Sequence, residues 1–95
     1  MHARVVRFND VTPERISELQ ARIEESGPPP GVDPVGAELF FDEGQGTAVF
    51  VGYFENAEKL REANEVFANM DASDTPGTRA SVDQCEIKVQ RQFGG

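Results

Sequence analysis

The sequence holds one cysteine, one histidine, one tyrosine and no tryptophan. The lone Cys85 excludes an intramolecular disulfide framework and a cysteine-rich metal site. The lone His2 excludes a histidine cluster and leaves no internal imidazole to activate Cys85 as a nucleophile. Its place beside Met1 is one where chain ends usually fray, so it is assigned no role. No run approaches the roughly 20 apolar residues that span a bilayer, and Met1 to Arg7 mixes Arg with Val where a signal peptide needs a long apolar stretch. A cytoplasmic location is the resulting expectation. Basic residues are scarce. Nine Lys and Arg against 17 Asp and Glu give a formal charge of −8, so nucleic acid and anionic membranes would be repelled and neither is an expected partner. Gly44, Gly46, Gly52, Gly94 and Gly95 match no phosphate-binding spacing. Asp42-Glu43 and the stretch Asp71 to Asp74 lack the pattern of a calcium loop and read as solvated turns. Neither a metal nor a cofactor is expected.

What is present is patterning for one small domain, residues 1–95, in a chain of 95 residues. Ala3 to Phe8 is β-branched and aromatic enough for a strand that ends at Asn9-Asp10. Thr12 then Pro13 is an N-cap followed by proline at the first helical position, and Ile16, Leu19 and Ile23 recur at helical spacing until Gly27. Gly27 to Pro34 is too rich in proline to continue a helix or a ladder, and reads as a stiff connector. Val35 to Asp42 and Thr47 to Phe54 are two strands joined by a short glycine-containing turn, a hairpin. Glu55-Asn56 caps a second helix running to about Met70, with Ala57, Leu60, Ala63, Phe67 and Met70 as its apolar stripe. Asp71 to Thr78 is a loop, and Ala80 to Phe93 alternates as a last strand. Cys85, Ile87 and Val89 lie on one of its faces, with Cys85 a small core residue.

The order βαββαβ predicts an α+β ferredoxin-like sandwich: a four-stranded antiparallel sheet with two helices on one face. In the strand Thr47 to Phe54, Val49, Val51 and Tyr53 point one way and Ala48, Phe50 and Phe54 the other. Helices on one side would leave large apolar groups uncovered on the second. A second copy of the chain is the expected cover, so the predicted state is a homodimer; small domains often gain stability in this way.

These elements resemble the dimeric α+β barrel superfamily, which includes antibiotic-biosynthesis-monooxygenase-like proteins. The likeness is carried by Val5-Val6-Arg7-Phe8 leading into Thr12-Pro13-Glu14, the proline-rich connector before Val35, Thr47 to Phe54 running into Glu55-Asn56-Ala57-Glu58, and Val82 to Val89. The resemblance implies a dimer with a cleft between sheet and helices. Members oxygenate aromatic substrates without metal or flavin, degrade haem, isomerise small lactones or have no known activity. The haem-degrading and oxygenating branches are recognised by an Asn, a Trp and a His in the cleft. Here Trp is missing, the one histidine is His2, and the region of Asn64 and Phe67 offers no replacement imidazole, so haem oxygenation is not expected.

The leading expectation is a homodimer that binds a small apolar or aromatic molecule in the cleft. Phe40, Phe50, Tyr53 and Phe67 are the candidate apolar wall, with Arg7 and Glu86 as candidate polar contacts. The alternative is a cofactor-independent monooxygenase in which Tyr53 or Arg7 steadies an oxyanion. A third is a structural or regulatory dimerisation module. Arg7, Glu86 and Lys88 also suit a plainer role in ion pairs across strands or subunits.

Overall fold

In the computed structural model, which describes residues 1–69 and 76–94, six elements follow in the expected order. They are β1 (His2–Asn9), α1 (Pro13–Ser26), β2 (Gly36–Asp42), β3 (Thr47–Phe54), α2 (Ala57–Ala68) and β4 (Thr78–Glu86). The strands form one antiparallel sheet in the order β2-β3-β1-β4, the ferredoxin-like α+β arrangement. Among the described residues no helix is long and apolar enough to cross a membrane.

Local chemistry sets the boundaries. Asp10 takes a left-handed φ of 57°, which a short polar side chain tolerates, and turns the chain so that Val11 is buried. The Thr12 side chain accepts the Arg15 N–H, and Pro13 opens α1 with φ already set. Gly27 ends it at φ 67°, donating its N–H to the Ile23 carbonyl. Asp42 organises the hairpin by accepting from both the backbone and the side-chain nitrogens of Gln45. Asn56 caps α2 by accepting the Lys59 N–H at 2.9 Å.

Register fixes which side chains share a face. Arg4, Val6 and Phe8 of β1 oppose Gly52, Phe50 and Ala48 of β3, and this face carries the helices. Val5 opposes Val51, and Arg7 opposes Val49, on the other face. The core on the helix side is divided. One cluster joins Val6, Phe8, Val11 and Ala48, with Ile16 packed on it. The other joins Val32, Phe54, Leu60 and Ala63, with Val66 and Phe67 packed on it.

Several expectations are corrected. The stripe Ile16, Leu19, Ile23 predicts a helix lying on a core, yet α1 buries no residue fully. Ile16 alone of the three packs on a core cluster, and the rest of α1 stands off the sheet. The last strand ends at Glu86 and not near Phe93. Its final ladder bond runs from the Ile87 N–H to the Met1 carbonyl, and beyond it Val89 and Phe93 are 84% and 83% exposed. Cys85 is half-buried beside Ala3 on the helix-free face and is not a core residue. His2 is not frayed, because β1 is a central strand that pairs His2 with Phe54 on one side and Glu86 on the other. Met70 and the stretch Asp71 to Asp74 lie outside the described residues.

Candidate ligand-binding site

Between α1 and the sheet lies a cavity of about 830 Å³. Its floor is Val6, Phe8, Phe50 and Phe54, drawn from both core clusters. Leu19 and Ile23 form its roof, which explains why these residues of α1 are half-buried: they face open space where a core would have been. The proline-rich connector supplies one wall through Pro28, Pro29 and Pro34, whose fixed φ values hold that wall without a ladder behind it. Volume and apolar character both match those of small-molecule sites in general.

Set into these walls is Arg4, which is only 6% exposed. Its Nε donates to Asn64 Oδ1 at 3.0 Å, and its guanidinium carbon sits 4.5 Å from the centre of the Phe67 ring. One neighbour therefore accepts from the Nε edge of the guanidinium and the other offers it the face of an aromatic ring. Burial first, and repulsion from Arg79 second, pull its pKa below the ordinary arginine value; arginine nevertheless stays a cation at neutral pH. Among the described residues no carboxylate lies within ion-pair distance of it.

Arg79 reaches the cavity because of a β-bulge. The β1–β4 register shifts between Arg7 and Phe8, so that Ser81 opposes Arg7 and Arg79 opposes Phe8, leaving Ala80 without a partner. An unbroken ladder would put Arg79 on the opposite face; the extra residue turns it to the side of Arg4. Gly77 makes this approach feasible, since a Cβ there would collide with the Asn9 carbonyl oxygen and crowd the Val11 side chain.

No known family model matches this sequence, and no curated protein resembles it significantly.

The structure brings together some of the residues singled out in the sequence and separates others. Phe50 and Phe67 both line the cavity. Arg7, Phe40 and Tyr53 point from the opposite, helix-free face. There the Tyr53 hydroxyl donates to Glu38 Oε1 at 2.6 Å, a bond that raises the phenol pKa, with desolvation and the Glu38 charge adding to it. Glu86 lies outside the cavity lining and pairs at 3.0 Å with Lys88, two residues along its own chain. His2 shares the face of Arg4 and has a buried Nδ1 that meets no hydrogen-bond partner among the described residues, but it is not part of the lining.

Arg4 and Arg79 are not among the candidates read from the sequence, and Leu19 and Ile23 appear there as core residues and not as the wall of a site. A signal for Arg4 was there: it has the same strand parity as Val6 and Phe8, the more apolar face of β1. Chemically, the described lining offers apolar surface and cationic donors. It contains no Asp, Glu, His, Cys or Tyr, and so no side chain suited to take a proton near neutral pH.

Proposed function

We propose that this chain is a self-associating α+β protein that holds a small apolar or aromatic molecule between α1 and the sheet. The observation that carries the proposal is the cavity of about 830 Å³, roofed by Leu19 and Ile23 where the helical stripe would otherwise close on the core. An apolar space of this size in so small a protein leaves its lining without contact partners, and a bound molecule would restore them. Binding is favoured over the monooxygenase alternative because the described lining lacks a group to deprotonate a phenolic substrate.

Self-association is supported by the other face of the sheet. Val5, Val49 and Val51 form its half-buried centre, and Phe40 beside them is 50% exposed. A second copy of the same face would cover them. Burying about 600–1,000 Å² on each copy is in the range of stable dimers.

The test of ligand binding is fluorescence titration with the neutral apolar dye N-phenyl-1-naphthylamine. Enhancement and a blue shift are expected in the native protein. Both should be lost in Ala37→Trp and Ala68→Trp, two exposed positions on the cavity wall where an indole would occupy the space. No enhancement, or enhancement that survives both substitutions, would contradict the proposal.

A further inference from the structure

We infer that the molecule held in the cavity carries a carboxylate, and that Arg4 receives it, with Arg79 as a second cation beside it. The inference rests on the cavity being a ligand site and adds the chemical class of the ligand.

Burying a guanidinium is costly unless an anion accompanies it. In a chain with 17 acidic and 9 basic residues, a carboxylate partner for Arg4 would be easy to provide. None is provided among the described residues; the one hydrogen bond of Arg4 goes to the neutral amide of Asn64. The surroundings increase the imbalance. Arg4 and Arg79 line the cavity together, and no Asp or Glu does so among the described residues; Arg22 also lines it but is left out of this balance. Arg22 has an interaction of its own and is not needed here. Arg79 is needed, and it arrives by a bulge at Ala80 that turns it toward a like charge. An arrangement that collects cations around an apolar space is relieved by an anion that enters with an apolar body.

The form of Arg4 narrows the class. Asn64 occupies Nε and the Phe67 ring lies 4.5 Å from the guanidinium carbon, and among the described residues the terminal N–H groups meet no acceptor. Those groups form a planar fork that matches the two oxygens of a carboxylate. A singly charged head also loses less hydration than a phosphate dianion on entering walls made of Val6, Phe54 and Phe67. The ligand is thus an aromatic or alicyclic monocarboxylate of roughly two fused rings, a size within the range that such cavities hold.

The test uses the full chain with bound N-phenyl-1-naphthylamine, displaced either by 2-naphthoate or by its neutral counterpart 2-naphthamide. The native protein should release the dye at about tenfold lower naphthoate than naphthamide concentration, the worth of one charge-assisted hydrogen bond. In Arg4→Gln and Arg4→Met the two should become nearly equal, each displacement being referred to the dye affinity measured for the same variant. Arg79→Gln, an exposed position, should lower the ratio partway and keeps the test decisive if the Arg4 variants fail to fold. Equal displacement in the native protein overturns the inference while leaving the cavity as a neutral-ligand site. A ratio that does not change in the folded variants overturns the role of the arginines. Absence of dye binding in the native protein overturns the ligand site itself.

Discussion

Arg4 on the first strand donates to Asn64 on the second helix across 60 residues of sequence, and among the described residues this 3.0 Å bond is the one polar tie of the buried guanidinium. Its two ends are not equivalent. Removing the charge removes a buried cation that has no counter-ion among the described residues, whereas removing the amide takes away the acceptor that the cation does have.

Arg4→Met is therefore expected to melt at or above the native temperature in the absence of ligand. Asn64→Leu should be destabilised by about 1–2 kcal/mol, because a hydrogen bond to a charged group is lost without the charge. Urea denaturation of both variants checks the pair. A larger loss for Arg4→Met than for Asn64→Leu would make Arg4 a structural residue and not one kept for a ligand.

On the opposite face, Tyr53 and Glu38 supply a pH-dependent test. The phenol donates to a carboxylate, first by hydrogen bond, then by partial desolvation and charge, and its pKa is raised from the ordinary value of 10.0. The chain has one tyrosine and no tryptophan, so absorbance near 295 nm reports this group alone. The midpoint should lie above pH 10 and fall in Glu38→Gln. Since the folded value is the higher one, the bond contributes fully below the unfolded-state value and is lost as pH rises through the folded one. A native midpoint at or below 10, or one unchanged by Glu38→Gln, would contradict the geometry.

Val51 sits at the middle of the helix-free face, opposite Val5 and Glu38. If a second copy covers that face, Val51→Glu places unpaired carboxylates in the interface. Dimer affinity should weaken by on the order of a hundredfold or more. Sedimentation at about ten micromolar should then give a dimer for the native chain and a monomer for the variant, with helical content retained. A native monomer, or a variant that remains dimeric, would remove self-association from the account.

Much of the architecture could be read from the sequence because its signals are local. Thr12-Pro13 and Asn56 are caps whose function is settled within a few residues, and Val49 and Val51 divide from Phe50 and Phe54 by simple alternation. The candidate site was less legible because it depends on departures from those patterns. The apolar stripe of α1 predicts burial, and nothing in its spacing shows that only Ile16 reaches a core cluster. The bulge at Ala80 changes the parity of Arg79, and alternation cannot reveal an extra residue. Arg7 reads as a charge in a central strand, while Arg4, three residues earlier, is the buried one. Tyr53 and Phe40 are aromatic in the manner of a ligand wall, but register turns them to the far face.

The proposal gives the two faces of the sheet different tasks, and one measurement distinguishes them directly. Isotope-filtered NOE spectroscopy on methyl-labelled protein, with unlabelled 2-naphthoate bound, reports which methyl groups touch the ligand. Contacts to Leu19, Ile23 and Val6, between α1 and the sheet, are the predicted result. Contacts confined to Val5, Val49 and Val51 would place the ligand on the face assigned to the second copy and contradict the account.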